Sequence, residues 1–180
     1  MPLAASMDHV GPLARCVRDL ALLLQVIAGP DPRDPSAAGV GVPDYGEAIK
    51  RYTGRPRLGR PRGLFEDRAE PAALDALEKA CERLRAAGAA VTDVALPAAF
   101  TEAPARHRVV MGVEAAMFHE ARLRRHPEDY EPSIRGLLEE GLACSPAEYA
   151  RTKRHQRRLK EEMAAYFHGL DALLTPAAPG

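Results

Sequence analysis

Residues 57–96 carry a strand–helix–strand pattern, which constrains the fold more than any other feature of the chain. An amphipathic helix is predicted over 71–87, where Gly88 stops it, and residues 91–96 alternate in polarity as a strand does. A short strand is predicted before this helix, around Leu58-Gly59-Arg60. Two strands separated by one helix pair in parallel, so the segment predicts an α/β sheet. Pro56 and Pro61 flank the first strand and indicate a sheet edge, because proline cannot donate to a ladder.

The segment before this unit predicts one strongly apolar helix and a connector. Residues 13–28 carry apolar side chains around most of the helix circumference, and Gly29-Pro30 ends the helix. Such a helix requires burial on more than one side. If its apolar surface is left uncovered, we expect poor solubility or homo-oligomer formation. Residues 30–54 are rich in Asp-Pro, glycine and proline and are predicted as an irregular connector.

The second half of the chain is predicted to be mainly helical. Helical spacing covers roughly 103–125, 131–141 and 146–168. Ser145, Pro146 and Glu148 match a helix start with a capping box. Residues 171–176 are predicted as a short buried strand that ends in a proline loop. The fold class is therefore α/β, with a sheet flanked by helices and a helix-rich C-terminal half.

Charge and cysteine content limit the classes of partner and compartment. The chain has 25 Lys and Arg against 25 Asp and Glu, so no net field attracts nucleic acid or an anionic membrane. Its apolar runs are too short for a transmembrane helix, and its N-terminus lacks signal-peptide features. The three cysteines, Cys16, Cys81 and Cys144, are sparse and form no CxxC pair, which indicates reduced thiols. We therefore expect a cytoplasmic protein without a membrane partner.

Two sequence blocks lie at the ends of the chain. Residues 2–15 read PLAASMDHVGPLAR, and the helix after them is followed by the turn GPDPRD at 29–34. Residues 171–179 read DALLTPAAP, a strand followed by a proline loop. Both blocks resemble those of the amidase signature family. The elements between these blocks occur in the same order as in the family. The resemblance spans nearly the whole chain, and it implies an amidase-signature fold with a large mixed sheet.

The resemblance also implies where the chemistry lies. Family members use a lysine and two serines, one of them in a Gly-Ser-rich nucleophile segment, and all three precede the block with which this chain begins. The chain has no such segment, and its serines are Ser6, Ser36, Ser133 and Ser145. We therefore expect residues 1–180 to be the C-terminal portion of a single amidase-signature domain. The catalytic triad would lie upstream of Met1, and the chain alone would be inactive.

Asp8 is the candidate site residue within the chain. The resemblance implies that its carboxylate supports the active site by pairing with an arginine of the nucleophile loop. The alternative is an ordinary turn residue ahead of Gly11-Pro12, where aspartate is favoured. Ser6 is interpreted as a turn hydroxyl, because no base lies nearby in the sequence.

Other chemical signals are weak. His107, His119 and His126 do not share one helix face, so we expect surface or packing histidines, no metal site and no cofactor. The basic run at 151–160 is interpreted as the solvated face of a helix. Tyr45, Tyr130 and Tyr149 either line a substrate cleft or pack at the edge of the core.

The function expected of the parent protein is hydrolysis of a small carboxamide substrate at its carbon–nitrogen bond by a serine nucleophile. Two alternatives remain open at this point. One is the amidase subunit of a tRNA-dependent amidotransferase, which the first block also resembles. The other is a non-catalytic module that binds RNA through the basic run at 151–160; a steep salt dependence of binding would be its signature.

Overall fold

The computed structural model describes residues 3–34, 37 and 41–178 of the chain. The chain divides into two compact units, residues 1–54 and residues 55–180. Ser36, one of the four serines considered above, lies outside the described residues. The helices and strands are α1 (Val17–Ile27), α2 (Tyr45–Arg51), β1 (Arg57–Pro61), α3 (Pro71–Ala86), β2 (Ala90–Val94), α4 (Ala103–Arg125), α5 (Pro132–Ala143), α6 (Pro146–Tyr166) and β3 (Ala172–Leu173).

The first unit contains two helices. The predicted apolar helix is confirmed as α1, although it begins at Val17 rather than at residue 13. The prediction of an irregular connector over 30–54 is wrong at its end, where α2 forms. The Asp44 side chain caps α2 by accepting a hydrogen bond from the Glu47 backbone N–H at 2.8 Å. The spacing of Asp44 and Glu47 is the capping-box spacing, and this local signal outweighs the surrounding glycines and prolines.

The second unit is built on a parallel three-stranded sheet with the order β2-β1-β3. Arg57 pairs with Ala90 and Pro61 with Val94, which confirms the parallel strand–helix–strand unit predicted from the sequence. On its other side, β1 pairs with β3, so that Leu58 lies opposite Ala172 and Gly59 opposite Leu173. The chain therefore contributes a small parallel sheet to an α/β fold.

The prediction that β1 is an edge strand is wrong, because β1 occupies the centre of this sheet. Pro56 and Pro61 do not interrupt the hydrogen bonds between the strands, because of where they lie. Pro56 precedes the strand and contributes only its carbonyl, which accepts from the Ala90 N–H at 2.7 Å. The Arg62 N–H donates to the Val94 carbonyl on the β2 side. By strand alternation the missing N–H of Pro61 would point to the β3 side, where the paired segment has already ended at Leu173.

The strand predicted over 171–176 is confirmed as β3, but it is shorter and less buried than predicted. Only Ala172 and Leu173 pair, and Ala172 is exposed. In the described part of the chain, β3 pairs on one side alone, with β1, which leaves its other side uncovered. An ion pair fixes its start, because Arg57 Nη2 lies 2.7 Å from Asp171 Oδ1. The Asp171 carboxylate also accepts the Arg57 backbone N–H at 2.8 Å.

The helical half agrees with the sequence prediction. Helices α4, α5 and α6 match the three predicted ranges within a few residues. Ser145 caps α6 by accepting from the Glu148 N–H at 3.2 Å, with Pro146 in the first turn. The core between these helices contains Ala115, Leu123 and Leu138, against which Tyr130 packs. Within residues 3–34, 37 and 41–178, the chain forms no helix of the length and apolarity that a bilayer span requires.

Candidate active-site groove

A groove of about 570 Å³ opens beyond the carboxyl ends of β1 and β3. In open sheets of parallel strands this edge is where ligands bind, because the loops that leave the strands converge there. The walls of the groove are mainly apolar. They come from the segment after β1, the start of α4 and the loop after β3, and consist of Leu64, Phe65, Arg68, Phe100, Ala103, Pro104, His107, Thr175, Pro176, Ala177 and Ala178.

The wall after β1 is held in place by a buried arginine. Arg60, on β1, is only 4% exposed, and its Nε donates to Glu66 Oε1 at 2.6 Å. Burial alone would raise the pKa of Glu66, but the hydrogen bonds from Arg60 and Arg62 outweigh burial, so that pKa is lowered. The pKa of the Arg60 guanidinium is raised, chiefly by its hydrogen bond to Glu66. Both groups therefore stay charged, and they fix the 3₁₀ helix Glu66–Arg68 against the sheet.

A second wall is formed by the 3₁₀ helix Ala98–Glu102 and the start of α4. Phe100 packs edge-on against Phe65, with ring centroids 5.8 Å apart and an interplanar angle of 62°. Arg106 anchors this end of α4, because its guanidinium lies 2.9 Å from Glu102 and 2.6 Å from Glu148 of α6. The aromatic pair and the anchored helix give the groove two fixed sides.

The groove has a volume typical of small-molecule sites, but its described lining contains no nucleophile–base pair. Among its described lining residues, Thr175 alone has a hydroxyl group, and His107 lies on a different wall. Acyl transfer requires a nucleophile within hydrogen-bond reach of a base, together with oxyanion donors. Within residues 3–34, 37 and 41–178, no cluster of three or more His, Cys, Asp or Glu side chains is arranged to hold a metal ion.

The structure places Asp8 in a local turn of the first unit. Its Oδ2 accepts the backbone N–H of Leu3 at 2.8 Å and that of Ala4 at 3.1 Å. The Asp8 N–H donates in turn to the Ala4 carbonyl at 2.8 Å. This geometry matches the turn interpretation of Asp8. The predicted support of a nucleophile loop stays a prediction.

The other candidate residues have mainly structural contacts. His119 is buried, and its Nδ1 lies 3.0 Å from the Tyr130 hydroxyl, so both side chains pack in the core. Tyr149 donates to Glu114 at 3.1 Å. Of the predicted cleft tyrosines, none lines the groove.

The basic run at 151–160 is largely exposed and partly paired with acids. Arg151 lies 2.7 Å from Glu148, and Arg158 lies 2.8 Å from Glu162. The buried residue of this segment is Thr152 on the opposite side. This arrangement agrees with the solvated helix face predicted from the sequence.

Sequence reasoning missed the groove itself. His107 was predicted to be a surface or packing histidine, and Arg68 carried no motif. The available signal was positional, because Leu64, Phe65 and Thr175 follow predicted parallel strands and so lie at their carboxyl ends.

Comparison with known proteins defines the class. The family model described as Amidase matches residues 1–180. An amidase from Pseudomonas putida is 34% identical over 98% of this chain and 38% of its own length. A glutamyl-tRNA(Gln) amidotransferase subunit from Acidobacterium capsulatum is 34% identical over 98% of this chain and 42% of its own length. AtzE, which is a 1-carboxybiuret hydrolase subunit from a Pseudomonas species, is 31% identical over 99% of this chain and 38% of its own length.

Solved structures agree with the sequence relatives. A vestigial complex related to the origins of an s-triazine catabolic enzyme contains a chain with a TM-score of 0.86 and 31% identity, over 99% of this chain and 38% of that one. A crystal structure of an amidase gives a TM-score of 0.73 and 30% identity, over 99% of this chain and 38% of that one. The chain thus belongs to the amidase signature family. It spans about two fifths of the length of the curated relatives, 38% and 42% for the first two.

Proposed function

We propose that residues 1–180 form the C-terminal portion of an amidase-signature domain in a protein that hydrolyses a carboxamide. The observation that carries this proposal is the family match over all 180 residues, together with a fold that aligns along 99% of the chain. The sparse cysteines, which form no disulfide, favour a cytoplasmic location.

In the proposed reaction a serine hydroxyl attacks the amide carbonyl, and ammonia leaves as the acyl-enzyme forms. Water then releases the acid, so that R-CO-NH₂ and H₂O give R-COOH and NH₃. The serine and its lysine would come from outside residues 1–180. The groove beyond β1 and β3 would bind the acyl part of the substrate, because its walls are apolar and fixed.

An ammonia-release assay tests this proposal. The gene product containing these residues, expressed with all coding sequence in frame, is expected to release ammonia from simple amides and to be silenced by a serine-directed reagent. The 180-residue chain alone, as a matched control, is expected to release none above background, because it contains no Gly-Ser-rich nucleophile segment. Hydrolysis by the 180-residue chain that a serine reagent abolishes would overturn the proposal.

Asp8 provides a sharper test of the support role. Asp8→Asn keeps an oxygen that accepts the Leu3 and Ala4 N–H groups but loses the charge, whereas Asp8→Ala loses both. If Asp8 pairs with an arginine of the nucleophile loop, both variants lower the kcat of the complete gene product by about tenfold or more. If Asp8 acts only in its turn, the Asn variant keeps nearly full activity and stability, and only Ala lowers them.

A second candidate function is that of the amidase component of a glutamyl-tRNA(Gln) amidotransferase. The observation that favours it is the 34% identity of such a subunit over 98% of this chain. A complex with partner proteins would then be required. Affinity purification from native cells distinguishes the two functions: stoichiometric partner proteins together with glutamine hydrolysis support the amidotransferase, and an isolated amidase supports the first proposal.

A further inference from the structure

The groove beyond β1 and β3 carries the positive charge of Arg68 without a carboxylate in its described lining. Arg68 and His107 line it, and none of its other described lining residues is Asp or Glu. The acids nearest in sequence lie outside the lining, and Glu102 is already paired with Arg106 at 2.9 Å. Within the described part of the chain, neither Arg68 nor His107 forms an ion pair.

Both Arg68 and His107 stand on fixed elements. Arg68 ends the 3₁₀ helix Glu66–Arg68, whose Glu66 is bonded to the buried Arg60. Gly63 allows the chain to turn from β1 into this helix with a φ of +89°, a conformation that side-chain-bearing residues rarely adopt. His107 lies in the second turn of α4, directly after the anchoring Arg106. Because these elements are already ordered, binding an anion there requires little further loss of backbone entropy.

The rest of the groove suits an apolar or aromatic body. Phe65 and Phe100 form an edge-on pair on its walls, and Pro104 and Pro176 add rigid apolar surface. A ligand that matches both features has an apolar body and an anionic group at one end. An uncharged apolar ligand would make only the apolar contacts, and the Arg68 guanidinium would stay hydrated without a ligand partner.

We propose that the groove selects amides whose acyl part is apolar or aromatic and ends in a carboxylate, which Arg68 and His107 bind. This inference rests on the proposed amidase function, because it names the substrate class of the same site. The guanidinium of Arg68 offers two parallel N–H donors that suit a carboxylate, and His107 adds a further donor.

Binding to the complete gene product, with its nucleophilic serine substituted so that no amide is hydrolysed, tests the selection without requiring catalysis. The probes are 4-carbamoylbenzoate and its neutral analogue terephthalamide, measured by isothermal titration calorimetry. We expect the carboxylate to bind about fivefold more tightly, a modest preference because Arg68 and His107 are both exposed. Arg68→Gln and His107→Asn together are expected to remove this preference. Arg83→Gln, an exposed arginine of α3 outside the groove, is the matched control and is expected to keep it.

Each remaining outcome has a defined meaning. Equal affinities in the serine-substituted gene product, no measurable binding of either probe, or a preference that survives the double substitution would overturn the inference. If the complete gene product releases ammonia from neutral benzamide and shows no carboxylate preference, the inference is overturned and the proposed function stands. A carboxylate preference in a complete gene product that hydrolyses no amide would overturn the proposed function and leave an anion-binding groove.

Discussion

Two glycines set the distance between α4 and α5. A Cβ atom built on Gly141 would lie 2.0 Å from the carbonyl oxygen of Gly112 and 2.3 Å from its carbonyl carbon. A Cβ on Gly112 would lie 3.2 Å from the Leu137 carbonyl oxygen. Backbone atoms cannot rotate away as a side chain can, so any larger residue at position 141 must push the two helices apart.

Gly141→Ala is therefore expected to lower the free energy of unfolding by roughly 3 kcal/mol, near the upper end for overpacked cores. Gly136→Ala is the matched control in the same helix, because nothing lies within 4 Å of its added Cβ. The control should leave stability unchanged or raise it by up to about 1 kcal/mol, as alanine favours helices. Urea unfolding measures both values, and equal behaviour of the two variants would contradict the close helix contact.

At the scale of elements, one ion network joins β1 to α3. The buried Arg60 of β1 donates through Nη1 to Glu78 of α3 and through Nε to Glu66, 2.6 Å away. Arg62 extends the network to Glu66 and Asp93, each at 3.0 Å. Removing an acid from this network leaves a buried guanidinium with less compensation, which is costlier than losing a surface pair.

The network predicts a pH dependence of stability. The pKa of Glu78 is lowered from its ordinary 4.5, mainly by the hydrogen bond from Arg60. A lowered folded-state pKa contributes stability that is present above pH 4.5 and is lost as the pH falls through the folded value. Glu78→Gln should be less stable than the unaltered chain at pH 7, and the difference should shrink below pH 4.5.

Thermal melting at several pH values measures this difference. Glu161→Gln, an exposed carboxylate of α6, serves as the control and should show little difference at any pH. A Glu78→Gln difference that stays constant from pH 7 to acid would count against the ion network as its cause.

Elements with strong local signals were predictable, and features set by tertiary placement were not. The periodicity of α3, α4 and α6 and the cap at Ser145 located these helices closely. The centre of the sheet was assigned wrongly, because the direction of the absent Pro61 N–H depends on where β3 ends. The groove depends on Phe65, Phe100 and Thr175 meeting from separate segments. The predicted strands place Phe65 and Thr175 at one end of the sheet, but the packing of Phe100 against Phe65 is a tertiary contact that the sequence pattern does not indicate.

At the scale of the whole molecule, α1 presents an apolar surface. Of its residues only Ala21 is buried, whereas Leu22 is 63% exposed and Val26 is 84% exposed. Leu23 and Ile27 are also exposed. Contiguous apolar surface of this kind favours association with another surface.

The isolated 180-residue chain is therefore expected to self-associate, and Val26→Lys should shift it toward monomer in sedimentation velocity. Met117→Lys provides the matched control, since Met117 is an exposed apolar residue of α4, 77% accessible. A single sharp monomer boundary for the unaltered chain would show that the α1 surface does not drive association.

The pairing of β1 with β3 joins residues that are far apart in the sequence, since the Arg57–Asp171 contact spans 114 positions. On a ribosome, α4 and α5 leave the exit tunnel well before β3 and contact each other locally. The side of β1 that pairs with β3 therefore stays unpaired until the last part of this segment is synthesised. This interval is long, because translation is slow compared with the folding of local helices. Chaperone capture of stalled nascent chains should consequently end only once Leu174, whose N–H donates to the Gly59 carbonyl, has emerged.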